Sequence, residues 1–262
     1  MAGLRKLARR PATFVTFGLL VGLLGLILIA VSATASQRTG RAAQEGLLLV
    51  TFPGAYTLIL SFILGLGGLF GVIYGAAIAG SEWSWGTLKS AVARGESRSR
   101  YQLLSFLAIA VFVGIGLVLA FGAGIVLAII GAKIAGVSTA GLTDSTTLGR
   151  LPELLARAWL AIVEETALGF AIATLARSQL AGIGAGIGVY FGEQFASIFL
   201  PDVVKYLPFN VANAVVATSS SSGLGGSISR LEPNAALLVV VAWLLGALVV
   251  AAVFTERSEI SG

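Results

Sequence analysis

The chain contains no cysteine and no histidine. Without cysteine there is no disulfide and no thiolate metal site. Without histidine the commonest metal ligand and the commonest general base are both missing. Charge is scarce as well. Only 11% of the 262 residues are charged, against 57% that are hydrophobic, whereas a soluble domain carries about 25% charged residues. The mean hydropathy of +0.96 therefore points to an all-α polytopic membrane protein. The net charge of +5 comes from cations that flank apolar runs. That placement fits membrane orientation and anionic lipid, and it gives no sign of a nucleic-acid interface.

Six runs are long enough to cross about 30 Å of hydrocarbon, which takes about 20 residues in a helix. They are 14–34, 53–79, 103–132, 158–176, 180–200 and 234–254. Residues 1–12 are basic, with Leu4, Leu7 and Ala8 on one helical face, and read as an interfacial helix. The basic start and the Ser32-Ala33-Thr34-Ala35 stretch resemble a signal peptide. The apolar run exceeds the 7–15 residues typical of such a peptide, so a retained span is expected. Arg5, Lys6, Arg9, Arg10, Lys89, Arg94, Arg98, Arg100, Arg177 and Arg257 fall on one side of this arrangement. Arg38, Arg41, Lys133, Arg150, Arg157, Lys205 and Arg230 fall on the other. The bias, clearest around the first three spans, places both termini in the cytoplasm. A single membrane domain with no soluble appendage is expected, in the cell (plasma or inner) membrane.

Residues 81–101 are a compact basic segment between two apolar runs. Leu88, Ala91 and Val92 fall at helical spacing and form one apolar strip. Gly95 can end the helix, and Trp83 and Trp85 suit the membrane interface. A short amphipathic helix at the cytoplasmic surface is expected here, its strip open to a partner. The rest of the chain offers no Gly-x-x-x-x-Gly-Lys-Ser/Thr loop to cradle ATP.

Glu82, Gly86-Thr87-Leu88 and the basic run after them resemble the cytoplasmic connection of type-2 ATP-binding-cassette (ABC) exporter permeases. Tyr206-Leu207-Pro208-Phe209 is similar to the Leu-Pro element after that family's fifth span. Residues 254–260 are similar to its terminal Phe-x-Arg-Arg-Asp pattern, with Glu259 in place of the usual Asp and Glu256 where a cation is common. The resemblance implies a permease without enzymatic activity. A separate cytoplasmic ABC ATPase would bind the ATP and Mg, and this chain would hold no cofactor. A second permease copy, identical or not, would complete the pathway for a lipid, peptide, drug or other amphiphile. The coupling helix would lie within 81–100, with Glu82, Gly86, Thr87, Leu88, Lys89, Ala91, Val92 and Arg94 as coupling residues. Residues 201–233, including Tyr206, Leu207 and Pro208, would shape a re-entrant outer gate.

Glu164 and Glu165 lie in the fourth expected span and Glu193 in the fifth. A charge near a helix centre costs at least about 2.5–3.5 kcal/mol, so each should face protein or water. At 1.5 Å per residue, Glu164 and Glu193 both lie roughly 9–10 Å from the outer ends of their spans. Either the three acids form a polar pathway, or Arg157 or Lys133 neutralises them structurally. The pathway version corresponds to an ion- or proton-coupled secondary transporter or channel. A non-transporting scaffold is a further class. An intramembrane CAAX-type protease is excluded, because it needs histidines beside its glutamate pair. Gly67, Gly71 and Gly75 form one small-residue row in the second span. Gly184, Gly188 and Gly192 form another in the fifth. Such rows let helices pack closely, within the subunit or at a dimer face.

Overall fold

The computed structural model describes residues 11–35, 41–84, 86–216 and 231–258, without the side chains of 11, 12, 35, 41–45, 89 and 91. Residues 1–10 of the expected interfacial helix at 1–12, Trp85, residues 217–230 of the outer connection, and Glu259 and Ile260 lie outside the described residues. So do the side chains of Lys89 and Ala91.

The described chain is helical, with no strand. Its helices are α1 (Pro11–Ala35), α2 (Arg41–Val50), α3 (Gly54–Ser84), α4 (Thr87–Ala93) and α5 (Arg98–Ala135). A 3₁₀ turn at Ala140–Thr143 leads to α6 (Ser145–Ala176), α7 (Gln179–Phe199), α8 (Pro201–Val204), α9 (Pro208–Ala214) and α10 (Pro233–Arg257). Five of these are long and apolar enough to cross a membrane: Thr13–Thr34, Gly54–Ser84, Arg98–Ala135, Ser145–Ala176 and Pro233–Arg257. The sixth expected span is a helix, α7, but it is not among the five. Gly182, Gly184, Gly186, Gly188, Gly192, Glu193 and Gln194 dilute its apolar character.

Two boundaries move in an instructive way. The fourth span begins at Ser145 rather than at 158. Pro152 and the charged residues around it read as a connection, yet the helix continues through them. At 1.5 Å per residue its 32 residues extend about 48 Å, beyond the hydrocarbon layer. Glu82, expected to open the coupling helix, belongs to the last turn of α3, so the short helix is confined to Thr87–Ala93.

Of the five, the helix with the weakest hydropathy lies innermost. In α6, 72% of the most apolar window is buried, against 17% in α1 and α10, and its hydropathy is 1.5 against 2.8 and 2.9. A helix facing protein on most sides tolerates polar residues that a lipid-facing helix cannot.

Its most extensive partner is α3, and glycine makes that approach possible. A Cβ on Gly75 would strike the Thr166 carbonyl, and one on Gly169 would strike the Val72 carbonyl. The close row in α3 includes Gly71 and Gly75, but Gly67 meets only ordinary contacts. In α7 the row differs from the expected one. Gly182 and Gly186 press on Ala173 and Val72, whereas Gly184, Gly188 and Gly192 meet nothing within 4 Å.

Hydrogen bonds and close contacts fix the helix directions. Thr13 on α1 meets Tyr74 near the end of α3, and Gly80 packs on Gln179 at the start of α7. Thr255 near the end of α10 lies against Gln102 near the start of α5. The α4 end of the bundle thus gathers the beginning of α1 and the end of α10. The opposite end gathers α2, α8 and α9.

At that opposite end Asp144 caps α6. The Thr146 and Thr147 hydroxyls and the Thr147 amide donate to its carboxylate, which holds its pKa at about 2, below the ordinary 3.8. A depressed carboxylate stabilises the fold above its unfolded value. This contribution is therefore intact above pH 3.8 and lost as the pH falls through about 2. Hydrogen exchange of the first α6 turn should rise across that window in the native chain, and Asp144→Asn should flatten the dependence.

Gly75→Val and Gly169→Val should each destabilise the fold by about 1–3 kcal/mol through overpacking. Gly188→Leu should leave the monomer's thermal unfolding in detergent unchanged.

Candidate functional site

Two polar assemblies stand out against the apolar bundle. The first is at the α4 end, where four helix ends meet. Glu82 is only 6% exposed, and Ser105 Oγ donates to its Oε1 at 2.7 Å. Tyr101 Oη lies 3.5 Å from the same oxygen, so α3 is tied to α5. The Thr87 hydroxyl donates to the Glu82 carbonyl at 3.2 Å and fastens α4 to the same point. Gly86 and Gly95 bracket α4 with φ of 65° and 86°, a left-handed backbone that glycine adopts without Cβ strain.

Deeper in this end, Gln102 bridges α6 and α10. Its Nε2 donates to Thr174 Oγ1 at 3.4 Å, and Thr255 Oγ1 donates to its Oε1 at 2.8 Å. Arg177 closes α6 in a left-handed conformation, φ 49°. Its guanidinium lies 5.2 Å from the Trp83 ring centroid and 5.4 Å from that of Phe254, within range of cation–π attraction to both. Arg98 Nη1 donates to the Ser258 carbonyl at 2.6 Å, and the Ser99 amide donates to Glu256 Oε1 at 3.2 Å. These contacts connect α3, α5, α6 and α10 beside α4.

This geometry changes the expected part of Leu88. It is 2% exposed and spends its apolar surface on its own chain, so this member of the strip is not open to a partner as expected. Val92 is half-buried. Among the described residues, the exposed side chains of the segment include Ser90, Ala93, Arg94, Glu96, Ser97 and Arg100. Sequence reasoning singled out Glu82 but missed Gln102, Ser105, Thr174 and Thr255. Their signal was amide and hydroxyl side chains within a turn or two of the ends of apolar helices.

The second assembly lies toward the other end, between α6 and α7. Glu164, Glu165 and Glu193 are 0%, 2% and 3% exposed. The carboxyl of Glu165 occupies the place that a Cβ on Gly68 would take. Glu193 Oε2 accepts from the Phe209 amide, the Asn210 amide and Asn210 Nδ2, each at 3.1 Å. It thereby pins the start of α9, which Pro208 sets up by occupying the first turn. Tyr206 and Leu207 form the approach to that helix, and the Tyr206 carbonyl accepts from Trp243 Nε1 at 2.9 Å.

The expected neutralisation by Arg157 or Lys133 is absent. Arg157 pairs with Glu153 at 2.7 Å and donates to Asn234 and the Val215 carbonyl. Lys133 makes no ion pair among the described residues. Both oxygens of Glu164, Oε2 of Glu165 and Oε1 of Glu193 are buried without a hydrogen-bond partner. No cluster of the described residues has the makings of a metal site. No protein-family model matches the chain, and no curated protein matches it.

Glu193→Ala would orphan the buried Phe209 amide and leave the half-buried Asn210 amide without its acceptor, a loss of about 1–3 kcal/mol. Hydrogen exchange at Phe209 and Asn210 should accelerate in Glu193→Ala and change little in Glu193→Gln, which keeps an acceptor.

Proposed function

We propose that this chain is the membrane-spanning subunit of an ATP-driven transporter of the type-2 ABC exporter kind. A separate cytoplasmic ATPase would dock on α4, and α7 would serve as the sixth span. Its 21 residues extend about 31 Å, enough for the hydrocarbon layer. The observation that carries this reading is the mounting of α4. It is a short helix outside the apolar bundle, bracketed by two left-handed glycines, fastened at Glu82, and adjacent to the polar seam joining α3, α5, α6 and α10. The short helix packs on α3 and α5, and the polar seam would pass a push on it from these to α6 and α10.

In this arrangement the coupling residues divide their labour. Arg94 is free to face a partner, together with Ser90 and Glu96. Glu82, Thr87 and Leu88 hold the helix in place, and Gly86 shapes its entry. ATP-driven closure of the motor would shift the bundle between two states through its differential contact with them. The outward face of α7, with Gly184, Gly188, Phe191 and Phe195 exposed, fits a second permease copy. Both termini would then lie in the cytoplasm.

A second reading rests on the unpartnered carboxylate oxygens. Charges on Glu164 and Glu165 have no counter-ion among the described residues, and isolated buried charges are too costly to persist. A bound proton or cation would neutralise them, as in a proton- or ion-coupled carrier. Glu164→Gln, Glu165→Gln and Glu193→Gln separate the two. Normal substrate flux in all three excludes the carrier.

The direct test is reconstitution with a P-loop ATPase encoded beside this chain. ATP hydrolysis should be stimulated by the wild-type permease. Arg94→Glu should lower that stimulation by at least about tenfold, as reversal of one docked charge does, with unchanged thermal unfolding. Flux driven by a proton gradient through the purified chain alone would overturn the proposal.

A further inference from the structure

A groove of about 460 Å³ between α1, α3 and α5 plays no part in the assemblies described above. That is the size of a site for one small ligand or chain. It runs from Thr13 to Leu20 along α1 and from Tyr74 to Ile63 along α3, roughly 10–16 Å at 1.5 Å per residue. Phe17, Phe70 and Phe112 wall it, while Phe14 and Leu119 at its mouth are 68% and 58% exposed. The groove therefore opens sideways, out of the bundle and toward whatever surrounds the spans.

Its polarity is lopsided. Among the described residues, the only polar side chains in the lining are Thr13, Thr16 and Tyr74, and they gather at the α4 end. There Thr13 Oγ1 lies 3.2 Å from Tyr74 Oη. The opposite end is formed by Leu20, Ile63 and Leu117. Immediately before Pro11 the sequence carries Arg5, Lys6, Arg9 and Arg10. An apolar slot, hydroxyls at one end and cations in the adjoining sequence match a single amphiphile with an anionic head. Cations next to a membrane surface each contribute about 1 kcal/mol toward anionic lipid.

We infer that this groove is a binding site for one acyl chain of an anionic glycerophospholipid, headgroup toward the α4 end. The site is lateral and belongs to one subunit. It is distinct from the carboxylate layer and from the exposed face of α7, and it does not depend on the transport reading.

Two glycines make the groove and give the means to test it. A Cβ on Gly116 meets nothing within 4 Å, and one on Gly67 meets only Ile63 and Ile162 at 3.6 and 3.9 Å. Both positions accept a larger side chain that would fill the slot. Gly65 also meets nothing within 4 Å but does not line the groove, so Gly65→Leu is the matched control.

The experiment uses the full chain in phosphatidylcholine vesicles with a trace of phosphatidylglycerol bearing a diazirine in its acyl chain. Cross-links are mapped by mass spectrometry. Labelling should concentrate on the peptides of Phe17, Phe70 and Phe112. It should fall about tenfold in Gly67→Leu/Gly116→Leu, what exclusion of two methylenes amounts to, and hold in Gly65→Leu. If the double variant does not fold, Gly116→Leu alone serves. A phosphatidylcholine probe should label the groove less, and Arg10→Gln should narrow that preference about fivefold. Labelling spread evenly over lipid-facing residues such as Leu238 and Val249, or equal in the filled and control variants, overturns the site. Groove labelling without a preference for the anionic probe overturns the headgroup assignment.

Discussion

The structure depends on the close approach of α3 and α6. Hydrocarbon offers no hydrophobic driving force between helices, so association rests on tight packing and on polar contacts. Gly68, Gly71 and Gly75 on α3 let the backbone of α6 come near, and Gly169 returns the favour from the other side. Glu165 and Thr166 sit directly in that seam. With α6 thus enclosed, α7 packs over both helices through Gly182 and Gly186, and α1, α5 and α10 form the apolar exterior. The same enclosure is what allows three glutamates at this depth.

Polar chemistry is consequently sorted by height. At the α4 end it is satisfied: Glu82, Gln102, Thr174, Thr255, Arg98 and Arg177 all have partners within the chain. In the carboxylate layer it is only partly satisfied, since Glu193 is spoken for by α9 while Glu164 has no partner on either oxygen. A satisfied network makes a rigid coupling of helices, and an unsatisfied one marks a place where a proton, cation or altered packing enters. The two assemblies suit different roles, mechanical at one end and electrostatic toward the other.

Much of the helical plan was legible because it follows from long apolar runs with little charge. The bounds of α1, α5 and α10 fall within a few residues of expectation. What was not legible depends on three dimensions. The start of α6 was hidden because Pro152, Arg150 and Arg157 resemble a connection, yet Asp144 caps the helix ahead of them and its buried residues begin only at Ala158. The close-packed glycines of α7 were not legible because 182/186 and 184/188/192 have equally good spacing, and only the structure shows that 182 and 186 make the contacts within the subunit. Leu88 was readable as apolar and helical but not as inward-facing. Arg157 was expected to neutralise the buried acids, yet Glu153 one turn away holds it.

The central claim is that α4 is the input through which an external motor moves the bundle. The chain has no cysteine, so a single cysteine in place of Arg94 gives an unambiguous reporter. In sealed membranes, a charged maleimide should label it from the cytoplasmic face alone, and the co-assembled P-loop ATPase should protect it. Labelling from the outer face, or labelling that the ATPase leaves unchanged, would contradict the account.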